Sequence, residues 1–166
     1  MVLVDPELAQ TPERHPKTTL TGTSASLGIL MGHVFRRSSG RGWRLRRRSM
    51  ELWPQWADAL HTPDTPLKLH RGLVQLAASD QEASLQRHLA EQRSALGLEF
   101  LPPDSLQDAH PDWPSGRYGG LRSAQDGRVD PLQLQLALRQ QLQQLNVALE
   151  ATRVEQLQRS QGGWVL

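Results

Sequence analysis

The chain has 166 residues, enough for one domain with a buried core, and 37% of them are hydrophobic. It contains no cysteine, which excludes a disulfide framework, a thiolate metal site and a cysteine nucleophile. The net charge is only +2, and no apolar run approaches the roughly 18 residues that cross a bilayer. Asp5 and Pro6 also interrupt the N-terminus before a signal peptide could form, so the sequence predicts a soluble, cytoplasmic protein without a membrane partner.

The N-terminal part of the chain predicts a strand followed by two loops. Residues 1–5 form a short apolar run that stops on Asp5, as buried parallel strands do. Residues 6–17 contain three prolines and no periodicity, which favours a loop. Residues 21–32 hold three glycines among small side chains, and such residues let backbone amides approach a ligand closely.

A helical pattern follows over residues 41–60, and Pro54 should bend or divide that helix. One side of the helix is apolar, with Leu45, Leu52, Trp56 and Leu60. The tryptophans of this region are interpreted as core anchors, namely Trp43, Trp53 and Trp56.

The middle of the chain predicts strands on either side of an amphipathic helix. Residues 67–78 alternate apolar and polar side chains around Gly72, which indicates a pair of strands or one long bent strand. Residues 80–96 form the helix, and Gly97 ends it. Residues 98–101 predict another short strand.

The last third predicts a strand over residues 119–124, closed by a turn at residues 126–127. Asp130 is then an N-cap, followed by a proline at the first position of a leucine-striped helix. Residues 147–157 and 164–166 predict a hairpin about the glycine pair between them. This order of elements predicts a mixed α/β (α+β) architecture with interleaved sheets.

Four short segments share a resemblance to one family. Residues 23–28 (TSASLG) follow a strand that ends in an acid, residues 72–77 read GLVQLA, and residues 126–131 read DGRVDP. Residues 153–155 (RVE) and 162–164 (GGW) complete the set near the C-terminus. In this order they resemble FAD-dependent oxidoreductases of the D-amino-acid oxidase and glycine oxidase type, over nearly the whole chain.

This resemblance implies both a fold and a function. The fold would be an incomplete Rossmann-like FAD-binding domain, interleaved with strands and helices of a substrate domain. Residues 1–60 and 131–166 would belong to the FAD-binding portion, and residues 61–130 mainly to the substrate portion. The cofactor would be FAD, and the reaction would be oxidation of a small amine or amino acid by hydride transfer to the flavin.

The resemblance also implies a set of cofactor-binding residues. An acid that ends a dinucleotide-domain strand hydrogen-bonds the ribose, which matches Asp5. The small-residue loop would run beneath the pyrophosphate and the flavin ring, and the backbone of Val154 would lie near the adenine. The implied residues are Asp5, Pro6, Gly22, Thr23, Ser24, Leu27, Gly28, Ile29 and Val154.

The chain departs from the family at both ends. The family opens with a strand and a G-x-G-x-x-G turn that holds the pyrophosphate, and residues 1–5 would already be its second strand. The family's substrate-binding arginine and tyrosine would lie beyond Leu166. The sequence therefore predicts a partial chain with no catalytic residue of its own, which is expected to be inactive alone.

A run of basic residues supports an alternative from another class. Seven arginines with Trp43 among them could bind an anionic partner such as nucleic acid, with the ring stacking on bases. The residues favour a solvated helix face over this alternative, because no nucleic-acid motif frames the cluster. The six histidines show no metal-ligand spacing, so no metal site is expected. The cluster comprises Arg36, Arg37, Arg41, Arg44, Arg46, Arg47 and Arg48.

Overall fold

The computed structural model describes residues 2–9, 25–109, 111–114 and 116–165. The helices and strands alternate irregularly along the chain, which confirms the mixed α/β prediction. Short 3-10 turns at Pro6–Ala9 and Ser94–Leu96 supplement the following elements: β1 (Val2–Val4), β2 (Ile29–Leu30), α1 (Gly40–Leu60), β3 (His70–Leu76), α2 (Asp80–Gln92), β4 (Leu98–Leu101), α3 (Pro103–Ala109), β5 (Gly120–Arg128), α4 (Pro131–Gln144), β6 (Ala148–Glu150), β7 (Gln158–Ser160) and β8 (Gly163–Val165).

Strand β5 is the centre of a four-stranded sheet, in which it pairs antiparallel with β2, β3 and β4. Strands β1 and β6 form a separate parallel pair, which brings the N-terminal strand beside a strand from the last part of the chain. Strands β7 and β8 form a hairpin. The predicted hairpin is therefore wrong in its first strand, because β6 pairs with β1 and only the later residues fold back on β8.

Helix α1 continues without interruption through Pro54, so the prediction that this proline divides it is wrong. The predicted apolar face is wrong in part, because Leu45 is 61% exposed and Trp56 45% exposed. The C-terminal half of α1 packs against a core, where Trp53 and Leu60 contact the cluster of Leu67, Val129 and Ala137. The arginine-rich N-terminal half remains at the surface.

Strand β3 is the single bent strand of the two predicted alternatives. Its register with β5 shifts between Arg71 and Leu73, which places a bulge at Gly72. Bulges of this kind bend a strand and re-aim the side chains beside them.

Strand β5 is longer than predicted, and the turn predicted at residues 126–127 is wrong. The strand continues to Arg128, and Gly127 pairs with Leu30 on one side and with Arg71 on the other. A Cβ atom on Gly127 would overlap the carbonyl oxygen of His70. The glycine is therefore required by the close approach of a neighbouring strand, not by a turn.

The helix-start predictions are confirmed at α4. The carboxylate of Asp130 accepts a hydrogen bond from the amide of Leu132 at 2.9 Å, and Pro131 occupies the first turn. Helix α2 is similarly capped by the Ser79 hydroxyl, but it ends at Gln92 instead of residue 96, because the next residues form a 3-10 turn.

Helix α2 packs on one face of the four-stranded sheet. The core between them contains Leu89 and Ala90 from the helix, with Leu98 and Leu121 from the strands. Val34 joins this core from the segment that connects β2 to α1.

Replacement of Leu121 by alanine tests this core. Its side chain is completely buried, so we expect the substitution to lower the free energy of unfolding by about 2–5 kcal/mol. Urea denaturation followed by circular dichroism measures the change. Leu45→Ala is the control, because Leu45 is 61% exposed, and an equal loss in the two variants would contradict the assignment of the core.

Candidate functional site

The small-residue loop that is predicted to bind the flavin, here called the flavin loop, is described from Ala25 onward. The predicted contacts Gly22, Thr23 and Ser24 lie outside the described residues. Gly28 ends the loop in a left-handed conformation with φ of +61°. Its amide donates to the Ser26 hydroxyl at 3.3 Å, and its carbonyl accepts from the amide of Val129 at 3.0 Å. The loop is thereby attached to the segment that follows β5.

Ile29 continues from the loop into β2, where it lies opposite Arg128 of β5. The side chains of Leu27 and Ile29 are 76% and 43% exposed. Two large apolar side chains therefore remain uncovered on either side of Gly28, at positions where the sequence predicts contact with FAD.

The other predicted contacts lie beside the parallel pair of strands. Asp5 is an exposed residue that follows β1, and its amide donates to the carbonyl of Glu150 at 3.1 Å. Pro6 begins the next 3-10 turn, and Val154, in the segment after β6, is 43% exposed. The predicted contacts are therefore divided between two sheets, with Gly28 and Ile29 at the larger one.

The most buried polar group beside these residues is Asp126, which the sequence analysis assigned to a turn. Its carboxylate accepts hydrogen bonds from the amides of three successive residues: Gly32 at 2.8 Å, His33 at 3.1 Å and Val34 at 3.0 Å. The ring nitrogen Nδ1 of His33 lies 2.9 Å from the same carboxylate. The Asp-Gly pair by itself indicates a turn. Only the family-like DGxVDP motif, which residues 126–131 match as DGRVDP, could have drawn attention to Asp126.

These contacts favour the ionised form of Asp126. Burial alone raises the pKa of the carboxyl group, but several interactions oppose it and place the pKa below its ordinary value. They are the hydrogen bonds from the His33 ring and from the amides of Gly32 and His33, and the electrostatic attraction of His33. Asp126 is therefore a fully buried carboxylate, stabilised by the donors of a neighbouring loop.

The side chain of Arg93 binds the backbone carbonyl groups of the same segment. Arg93 follows α2 and is 8% exposed. Its guanidinium donates to the carbonyl oxygens of His33 and Phe35, both at 2.6 Å, and of Arg36 at 3.0 Å. The face of Trp43 lies 5.1 Å from the guanidinium carbon, which is within the range of a cation–π contact.

Residues of the segment that Asp126 and Arg93 hold line two cavities. His33 and Trp43 line a cavity of about 300 Å³ against α1, together with Arg71 from the bulge of β3. Val34 lines a second cavity of about 330 Å³ against α2, and Gln86 lies in its wall. Among the described residues, the Oε1 atom of Gln86 is the buried side-chain oxygen or nitrogen that lacks a hydrogen-bond partner.

A comparison with protein families identifies the family of the chain. Residues 13–166 match the DAO family, described as FAD dependent oxidoreductase. The chain belongs to this family. No curated protein matches the chain.

Solved structures of two glycine oxidases and an iminodiacetate oxidase share the fold. Glycine oxidase from Geobacillus kaustophilus is 22% identical, with a TM-score of 0.70 over 86% of this chain and 42% of that one. Glycine oxidase from Bacillus cereus is 19% identical, with the same TM-score and coverage. Iminodiacetate oxidase from a Chelativorans species is 17% identical, with a TM-score of 0.68 over 92% of this chain and 42% of that one. The chain thus spans about two fifths of the length of these structures.

The arginine cluster of this member of the DAO family is exposed at the surface. Glu51 forms ion pairs with Arg47 at 3.6 Å and with Arg48 at 3.3 Å. Arg46 lies over the ring of Phe35, and the guanidinium of Arg93 covers one face of Trp43. Part of the basic charge is therefore paired, and the predicted stacking residue already has an intramolecular partner.

The described residues contain no group of three or more His, Cys, Asp or Glu side chains that could hold a metal ion. Within the same part of the chain, no helix is long and apolar enough to cross a membrane.

Proposed function

We propose that the chain binds FAD and contributes to an enzyme that oxidises a small amine or amino acid by hydride transfer to the flavin. The family match over residues 13–166 carries this proposal. The names of the solved structures support the substrate class, because glycine oxidase and iminodiacetate oxidase act on small amino compounds. When bound, FAD supplies the hydride acceptor, and the protein supplies binding and orientation.

The described residues fit such a cofactor. The proposed contacts Leu27, Ile29 and Val154 are all large apolar residues, and they are 76%, 43% and 43% exposed. An aromatic ring of the cofactor would cover Leu27 and Ile29, which flank Gly28, and exclude water from them. The backbone of Val154, in the segment after β6, would lie near the adenine. Asp5 provides the carboxylate for a ribose hydroxyl, next to Pro6.

The small-residue loop completes the proposed contacts. Gly28 follows Leu27 directly, and Gly22, Thr23 and Ser24 precede them in the part of the loop outside the described residues. Small side chains at these positions would let backbone amides approach the pyrophosphate.

We further propose that residues 1–60 and 131–166 contribute to an FAD-binding portion, and residues 61–130 mainly to a substrate portion. The parallel pairing of β1 with β6 supports a common sheet for the two outer ranges. The antiparallel strands β3, β4 and β5 fall in the middle range. Strand β2 connects the two portions, because it follows the flavin loop but pairs with β5.

Thermal unfolding with and without FAD tests cofactor binding by the 166-residue chain. A ligand that binds only the folded state at 100 times its Kd adds about 2.7 kcal/mol of stability. We therefore expect FAD to raise the Tm by roughly 5–10 °C. Leu27→Gln should reduce this rise, because it places a polar group against the flavin.

Leu45→Gln is the matched control, because Leu45 is 61% exposed but lies on α1 and is not one of the proposed contacts. It should preserve the rise in Tm. An unchanged Tm in the wild-type chain would contradict the proposal. Salt-sensitive retention on heparin without any effect of FAD would instead support the basic-helix alternative.

A further inference from the structure

The segment that follows the flavin loop is held along its length by the end of β5. The amide of Val129 donates to the carbonyl of Gly28, and Ile29–Leu30 pairs with Arg128 and Gly127. After Met31, the carboxylate of Asp126 accepts hydrogen bonds from three successive amides, those of residues 32–34. The path of the chain from residue 28 to residue 34 therefore depends on four consecutive residues of the DGxVDP motif.

The opposite side of the segment has a different requirement. Buried carbonyl groups need donors, just as buried amides need acceptors. Residues 33, 35 and 36 direct their carbonyl oxygens at the guanidinium of Arg93, which comes from the C-terminal end of α2. The negatively charged Asp126 thus accepts hydrogen bonds from the amides of the segment, and the positively charged Arg93 donates hydrogen bonds to its carbonyl groups.

The type of residue matters at position 93. The planar guanidinium has five N–H donors in a rigid fork, so it can serve three carbonyl groups at fixed angles. Lysine has a single, mobile ammonium group and lacks this geometry. Trp43 against the guanidinium further restricts its orientation.

We propose that Asp126 and Arg93 are positioning residues for the cofactor, which fix the flavin loop by clamping residues 32–36 from opposite sides. This inference rests on the proposed function, because it assigns Gly28 and Ile29 to FAD. Neither clamp residue is itself a proposed FAD contact. Loss of Arg93 would release the carbonyls on one side, so that the loop samples conformations that do not bind the cofactor.

Arg93→Met tests the proposal, and Arg87→Met is the matched control. Arg87 is on the same helix and stacks on Phe100 at 4.5 Å, but it is exposed. The first measurement is hydrogen exchange in the 166-residue chain without FAD. We expect Arg93→Met to accelerate exchange of the amides of residues 29–34 by at least about tenfold, the effect of losing one hydrogen bond to a charged group.

The second measurement is the Kd for FAD, determined by quenching of flavin fluorescence. Arg93→Met should raise the Kd at least about tenfold, and Arg93→Lys should raise it less. Arg87→Met should change neither the exchange nor the Kd by more than about twofold. Leu106→Ala supplies a fold-destabilised reference, because Leu106 is 1% exposed and lies on α3, outside the core that Val34 joins. A purely structural effect would appear there without a selective change at residues 29–34.

The outcomes separate the two proposals. Unchanged exchange at residues 29–34 in Arg93→Met would overturn the clamp, and so would faster exchange with an unchanged Kd. A wild-type chain that does not bind FAD would overturn the proposed function, whereas the exchange of its amides would still decide whether Arg93 holds the segment. If Arg93→Met does not fold, the same comparison is made between Arg93→Lys and Arg87→Lys.

Discussion

Replacement of Asp126 by asparagine is expected to lower the free energy of unfolding by about 1.5–3 kcal/mol at neutral pH, the usual range for a hydrogen bond to a charged group. Asparagine has nearly the same volume as aspartate, so packing is preserved. Its amide nitrogen is a donor, however, and it would face the amides of Gly32, His33 and Val34, which are donors too. Urea denaturation of the two proteins at pH 7 measures the loss.

The difference between wild type and Asp126→Asn should depend on pH. The pKa of Asp126 is lower in the folded chain than its ordinary value, so the folded state favours the carboxylate. The stability from this group is therefore fully present above the unfolded-state pKa of about 3.9 and is lost as the pH falls through the lower, folded-state pKa. The free energies of unfolding of the two proteins should therefore begin to approach each other below about pH 4, and should continue to do so through the folded-state pKa of Asp126.

Asp64→Asn provides the control, because Asp64 is an exposed residue of the loop before β3. At pH 7 its free energy of unfolding should lie within about 0.5 kcal/mol of the wild-type value, as is usual for a surface substitution. A loss in Asp126→Asn that equals the loss in Asp64→Asn would contradict the assignment of Asp126 as the acceptor of three amides. A constant difference between pH 3 and pH 7 would contradict its lowered pKa.

Local sequence signals predicted the elements whose causes are local. The N-cap Asp130 and the following proline define the start of α4, and both contacts need only neighbouring residues. The bend of β3 at Gly72 was likewise one of the predicted alternatives. The helix beginning near residue 41 was predicted from its own periodicity, although its buried face depends on where α4 lies.

The site could be predicted only in part, because its decisive contacts join distant parts of the chain. Asp126 reaches Gly32 across 94 positions, and Arg93 reaches His33 across 60. An Asp-Gly pair after an apolar run indicates a turn when only neighbours are considered. The long-range pairing of β5 with β2 and β3 overrides that local preference, so Asp126 and Gly127 are both part of a strand.

The proposed FAD contacts and the buried residues that support them also differ in how far the sequence predicts them. Asp5, Leu27, Gly28, Ile29 and Val154 came from the family resemblance, and they are exposed or partly exposed. The residues that hold the loop in place are buried, and the resemblance implies no role for them. A resemblance therefore points to surfaces that contact a cofactor, whereas the structure identifies the groups that support those surfaces.

Replacement of Gly28 by alanine should lower the free energy of unfolding by about 2–4 kcal/mol, from backbone strain and the loss of a hydrogen bond. Its φ of +61° is unfavourable for any residue with a Cβ atom. That atom would also overlap the carbonyl oxygen of Val129 and press on Pro131. Because the carbonyl of Gly28 accepts from the amide of Val129, the loop would detach from the end of β5, and FAD binding should be lost with it.

Alanine substitutions at two other glycines distinguish the effect of backbone strain from the effect of steric overlap. Gly72 has a φ of +98°, but a Cβ atom at this position would meet nothing within 4 Å, so Gly72→Ala adds strain alone and should cost about 1–2 kcal/mol. Gly42 lies inside α1 with open space around it, so Gly42→Ala should stabilise the chain by about 0.5–1 kcal/mol. Thermal unfolding should therefore rank Gly42→Ala above wild type, and Gly72→Ala and Gly28→Ala below it in that order. If the Tm of Gly28→Ala is no lower than that of Gly72→Ala, the contact between the flavin loop and Val129 does not hold the loop. The hydrogen bonds of Asp126 to residues 32–34 would then be what holds it.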